Sequence, residues 1–127
     1  MLFPNELKYT RTHEWVKFET ETTAYIGITD FAQSELGDLV FVNLPSEGDS
    51  LSSGEAFSDV ESVKAVSDVI SPVTGVVAKV NEELEDEPEK MNAEPYESWF
   101  VFAEDITDTC ELLSAEEYEA FIEEEAE

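Results

Sequence analysis

The sequence predicts a small, mainly β domain, sandwich- or barrel-like, with a short internal helix and a C-terminal helix. Three observations predict it. Short β-rich runs recur at close intervals between turn formers, and only two segments carry helix-start signals. A chain of 127 residues with 42% hydrophobic residues can also bury a real core. No linker divides the chain and no repeat of solenoid period is present, so one domain over residues 1–127 is expected.

The elements follow in order. His13 to Phe18 carries Trp15, Val16 and Phe18, and Ala24-Tyr25-Ile26-Gly27-Ile28 follows across a polar Glu19–Thr22 link, so the pair reads as a hairpin. Asp30 is the expected cap of a helix of under two turns, with Gln33 at the capping-box position and Gly37 as a left-handed stop. Leu39 to Leu44 returns to strand and is closed by Pro45 and the Ser46–Asp49 loop. Strands are predicted from about Ala56 to Val63, from Ala65 to Ile70, and from Val76 to Val80 beyond Ser71-Pro72 and Thr74-Gly75. Residues 82–95 hold acids and two prolines with few apolar side chains, which predicts a loop. Trp99 to Phe102 is the last strand. Ser114-Ala115-Glu116-Glu117 is a capping box that opens a terminal helix with Tyr118, Phe121 and Ile122 on one face.

Charge bounds the function. Asp and Glu number 32 against 6 Lys and Arg, a formal net charge of −26. Such a surface repels phosphate backbones and anionic headgroups, which argues against nucleic-acid and membrane-surface partners. The acids are spread along the chain, as suits a salt-rich cytoplasm where screening removes their mutual repulsion. No apolar run approaches the roughly 18 residues of a membrane span, and Met1 to Glu6 lacks the regions of a signal or transit peptide. A cytoplasmic protein is expected. The single cysteine, Cys110, permits no internal disulfide and no cysteine-based cluster; with no basic neighbour it reads as an idle thiol in a connector. His13 is the only histidine, so a histidine zinc site is not expected, and packing beside Trp15 is. Asp105 to Glu116 has EF-hand length but places Cys110 where that loop needs glycine, so no metal site is predicted.

The informative stretch is Phe57 to Pro72. Ser-Asp-Val stands at 58–60 and again at 67–69, so two similar strands flank Lys64. Tight hairpins favour Asn-Gly or another glycine pair at the tip, because their turns need positive φ. Val63-Lys64-Ala65 contains no turn former, so a tip here is chosen for the primary amine it displays.

Leu7-Lys8-Tyr9, His13-Glu14-Trp15-Val16, Gly27 to Gln33, Leu36 to Val42 and Leu44-Pro45 stand in the order and spacing of the glycine cleavage system H proteins. So do Val60-Glu61-Ser62-Val63-Lys64-Ala65, Ser71 to Gly75, Val80-Asn81, Asn92, Pro95-Tyr96, Trp99 and Leu112 to Tyr118. Nearly the whole chain thus resembles that family of lipoyl carriers. The resemblance implies a two-sheet barrel-sandwich hybrid of the lipoyl- and biotinyl-carrier kind, with lipoate on Lys64 through an amide bond. It implies a shuttling substrate rather than an enzyme, and a monomer. Its partners would be a pyridoxal-phosphate glycine decarboxylase, a tetrahydrofolate-dependent aminomethyltransferase, an FAD-containing dihydrolipoamide dehydrogenase and a lipoylating enzyme. Glu61, Ser62, Val63 and Ala65 would be read by that last enzyme. The loaded arm would fold into a cleft, its ammonium end near Glu14 with Thr12 and Asp68 beside it, where an anion favours the charged amine. Ser98 stands where the family usually has glycine, and Lys90 where an apolar residue is usual. Carriers for 2-oxoacid dehydrogenases or biotin usually present Asp-Lys-Ala or Met-Lys-Met at the tip, unlike Val63-Lys64-Ala65. An H-like protein that relays lipoate to other acceptors, or an acidic binding module with Lys64 unmodified, remain the alternatives.

Overall fold

The computed structural model describes residues 1–126; Glu127, the last residue of the predicted domain, lies outside the described residues. The chain runs β1 (Lys8–Tyr9), β2 (Glu14–Thr20), β3 (Thr23–Ile28), α1 (Asp30–Leu36), β4 (Leu39–Asn43), β5 (Ser50–Leu51), β6 (Ala56–Ser62) and β7 (Val66–Ile70). It continues through β8 (Val73–Val80), α2 (Glu83–Asp86), α3 (Lys90–Ala93), β9 (Val101–Thr109) and α4 (Ala115–Ala126). One sheet has the order β1-β2-β3-β9-β8-β5 and the other β4-β6-β7, and every recorded pairing within them is antiparallel. This is the mainly β, two-sheet architecture with an internal and a C-terminal helix that the sequence predicts.

Alternation builds the core. Val16, Ile26, Val77 and Val101 of the large sheet and Val42, Val60 and Val69 of the small one are buried in the same cluster, and on the small sheet the neighbouring Phe41, Asn43, Glu61 and Asp68 are exposed. A second cluster of Leu7, Tyr9, Trp15, Leu113 and Tyr118 holds α4 and the N-terminal segment to the large sheet, with Tyr9 and Tyr118 stacked at 4.8 Å. The capping box forms in both directions: the Glu117 amide donates to Ser114 Oγ (3.1 Å) and the Ser114 amide to Glu117 Oε1 (2.9 Å).

Several local expectations are corrected. The cap of α1 is Thr29, not Asp30: Thr29 Oγ1 accepts the Ala32 amide at 3.1 Å, and Asp30 is the first helical residue. The Thr29 hydroxyl also shares a 2.7 Å hydrogen bond with Tyr118, which fixes it in place. Gly37 closes α1 at φ 81° as predicted. Residues 82–95 are not a plain loop, because α2 and α3 each bury one side chain, Leu84 and Met91. His13 does not lie against Trp15; its ring tilts over Phe31 at 4.8 Å. The last strand runs through the acidic stretch to Thr109 rather than stopping at Phe102.

Trp15 faces Gly27 across β2–β3, and its indole donates to the Pro95 carbonyl at 3.0 Å. A Cβ on Gly27 would stand 2.6 Å from Trp15 Cε2. Gly27→Ala is therefore expected to cost about 2 kcal/mol through overpacking. Urea unfolding measures this; an unchanged midpoint would contradict the packing. Among the described acids only Glu83, Glu87 and Glu111 pair with a lysine or arginine, so most of the acid shell is uncompensated. The melting temperature is expected to rise between dilute buffer and molar KCl, where the Debye length shrinks to about 3 Å; a flat response would refute that.

Candidate functional site

The β6–β7 hairpin carries Lys64 at its tip. Glu61 pairs with Val66, and Ser62 to Ala65 make the turn. No residue of that turn has positive φ. The turn is made instead by Ser62, whose Oγ accepts the amides of Lys64 and Ala65, both at 3.1 Å, while its own amide donates to the Ala65 carbonyl at 2.8 Å. A serine hydroxyl thus supplies what a glycine pair usually does. Ser62, named in the sequence as part of a recognition motif, has a turn-forming role that its position just before the glycine-free tip could have signalled.

The tip is also seated from below. The Val63 amide donates to the Asp38 carbonyl at 3.0 Å, which ties the hairpin to the corner between α1 and β4. The Lys64 stem lies over Gly37: a Cβ there would be 3.0 Å from Lys64 Cε and 3.8 Å from Nζ. Lys64 itself is exposed and, among the described residues, has no ion-pair partner.

Large apolar side chains are exposed at this tip and on the strands of its sheet. Val40 and Phe41 on β4, Val63 at the tip and Val66 on β7 are all exposed, Val63 by 69% and Val66 by 65%. Phe41, Glu61 and Val66 stand in register across the three strands, so they form one outward row next to the tip. Glu61 and Ala65 are exposed as well. Phe41 and Val66 were not singled out from the sequence; the strand alternation that buries Val42 and Val60 is the signal that turns Phe41 and Glu61 outward.

A cavity of about 400 Å³ has Leu36, the residue before Gly37, in its wall. Phe31, Ala32 and Leu36 give it an apolar wall, and Thr12, His13, Glu35, Ser67 and Glu125 supply polar groups. His13 sits at φ 74°, held by its Nδ1 to the Tyr118 hydroxyl at 2.8 Å and its Nε2 to Glu125 Oε2 at 3.1 Å. Burial holds its imidazole below the ordinary range, against the opposing pull of Glu125.

The three sequence-predicted arm contacts divide. Thr12 lines the cavity. Glu14 lies behind it, 2% exposed, with Oε1 accepting the hydroxyls of Thr12 and Thr10 (2.8 Å to Thr10) and Oε2 accepting the Ile70 amide at 3.2 Å. Desolvation pushes its carboxyl up to about 7, although each of these donors favours the ionised form. Asp68 is exposed on β7, paired with Asp59, and the β7 residue on the cavity is its neighbour Ser67. Ser67 shares a face with buried Val69, a signal that strand alternation carries. Burial raises the Cys110 thiol, with the Glu14 charge adding to it. Among the described residues no group of three His, Cys, Asp or Glu could hold a metal, and no helix is long and apolar enough to cross a membrane.

The sequence profile described as "Glycine cleavage H-protein" matches residues 7–125. A glycine cleavage system H protein of Lachnoclostridium phytofermentans is 64% identical over 121 residues, spanning 95% of both chains. One from Halalkalibacterium halodurans is 55% identical over 125 residues, covering 96% of this chain and 97% of its own. The crystal structure of a glycine cleavage system H protein from Mycobacterium marinum superposes with a TM-score of 0.86 at 39% identity, over 92% of this chain and 96% of that one. With its profile match running almost end to end over the two-sheet fold that carries Lys64, the chain belongs to the glycine cleavage H-protein family.

Proposed function

We propose that this chain, as one domain over 1–127, is the lipoyl carrier of glycine cleavage, with lipoate attached to Lys64. The observation that carries the reading is the lysine itself: an exposed, unpaired amine on a turn built by Ser62 and seated on Asp38. Lipoate, when bound, supplies a dithiolane on a long arm that accepts the aminomethyl group and is afterwards reoxidised. The protein's own work is to display, shelter and hand over. It is carried between enzymes and catalyses no step itself.

The residues fit such an arm. The Lys64 stem already crosses Gly37 beside the cavity, whose Phe31, Ala32 and Leu36 wall suits a hydrocarbon chain. Thr12 and Ser67 hydroxyls suit a polar end, and Glu14 stands behind Thr12 through their hydrogen bond. A buried carboxyl raised to about 7 is poised for a cation, since an ammionium brought to it offsets the desolvation and draws its pKa back down. Asp68, on the outer face, serves partner contact better than the cavity.

Glu61, Val63 and Ala65 are the exposed groups that a lipoylating enzyme would read, while Ser62 shapes the turn they stand on. The outward row of Phe41, Glu61 and Val66 extends that surface. The other partners are the remaining components of glycine cleavage: the pyridoxal-phosphate decarboxylase, the tetrahydrofolate-dependent aminomethyltransferase and the FAD-containing dihydrolipoamide dehydrogenase. The acidic shell supports a monomer working in a salt-rich cytoplasm.

Lys64→Arg keeps the charge and the fold but offers no amine for acylation. Lipoylation and glycine cleavage in the reconstituted system are expected to fall to background; full activity would sink the reading. Glu14 supplies a second test. Its carboxyl ionises near 4.5 when unfolded but near 7 when folded, so between those values the native state binds the extra proton and loses stability as pH rises. Glu14→Gln lacks that titration. Its stability relative to wild type is expected to climb from pH 4.5 to 7 by on the order of 2–3 kcal/mol and then level off. A pH-independent difference would remove the buried acid from the account.

A further inference from the structure

We infer that Asn92 is a positioning residue for the Lys64 tip, acting through the corner between α1 and β4. The inference rests on the reading of Lys64 as the attachment residue. Asn92 lies on the single turn α3, far from Lys64 in sequence, and both polar atoms of its side chain are hydrogen-bonded. Its Oδ1 accepts the Leu39 amide at 2.8 Å, and its Nδ2 donates to the Gly37 carbonyl and to Gln33 Oε1, each at 2.9 Å. Two of these bonds bracket Asp38 from either side. Gly37 is further held by its own amide, which donates to the Gln33 carbonyl at 3.0 Å.

With Gly37 and Leu39 both anchored, the Asp38 carbonyl between them has a set direction, and that carbonyl accepts the Val63 amide at 3.0 Å. Gly37 is also the surface under the Lys64 stem. Both supports of the tip, the bond to Val63 and the shelf beneath Lys64, are therefore tied to this side chain. A reacting amine displaced by about 1 Å loses on the order of a hundredfold in rate, so the side chain that fixes the corner acts on transfer at Nζ without touching it.

Asn92→Asp is the sharpest variant, since it keeps the size and the Oδ1 acceptor but turns the Nδ2 donor into a second acceptor facing two oxygens. Amide hydrogen exchange and the kinetics of lipoylation by a lipoylating enzyme are measured on this variant, on Asn92→Ala and on wild type. Gly27→Ala serves as a destabilised control that leaves the corner intact. The expected result is Val63 exchange faster by about tenfold or more with β8 and β9 amides unchanged, together with a fall of about tenfold in lipoylation kcat/KM that exceeds the fall in Gly27→Ala. Unchanged Val63 exchange, or a lipoylation loss no greater than in the control, overturns the inference. If wild-type Lys64 takes up no lipoyl group, the attachment reading fails on its own, and Val63 exchange alone decides whether Asn92 holds the tip.

Discussion

The bond from the Val63 amide to the Asp38 carbonyl joins the two parts of this protein that its proposed role requires. On one side of it is a hairpin from the small sheet with a lysine at its end. On the other is the corner that follows α1 and borders the cavity. The β4–β6 pairing ends at Leu39 and Ser62, and that bond carries the attachment one residue further, onto the tip itself. With it, the tip and the cavity keep a fixed relation. Ser62 makes this possible by closing the turn without glycine, which leaves the backbone stiff where a glycine pair would loosen it.

Electrostatics at the site run against the rest of the molecule. The chain carries a formal net charge of −26, yet Glu14, hydrogen-bonded to the cavity residue Thr12, is withdrawn from water and given three donors. Desolvation outweighs those donors and pushes the Glu14 carboxyl up to about 7. That is an arrangement with a standing preference for a cation. The His13–Glu125 contact closes the far side of the same cavity and ties it to α4, so the C-terminal helix is part of the wall as well as a cover for the second core cluster.

Much of this was legible in the sequence because the governing interactions are local. The Ser114 capping box and the Gly37 stop depend on residues within one turn, and both form as read. The hairpin around Lys64 follows from two similar strands. Where the reading failed, the deciding contact came from elsewhere in the chain. Thr29 rather than Asp30 caps α1 because Tyr118, 89 residues away, orients its hydroxyl. Leu84 and Met91 bury from single turns too short to show a period. His13 turns from Trp15 toward Phe31 because Tyr118 and Glu125 of α4 hold both ring nitrogens. Ser67 rather than Asp68 faces the cavity for the simplest reason, strand alternation, and was within reach.

The most direct measurement is intact-mass analysis with peptide mapping of the protein from cells that lipoylate other proteins. A lipoyl mass on the peptide containing Lys64 is the predicted result, and it leaves only the hand-over to the partner enzymes to be followed. A biotinyl mass there would move the protein to another carrier chemistry. An unmodified Lys64 would contradict the account and leave an acidic binding module in its place.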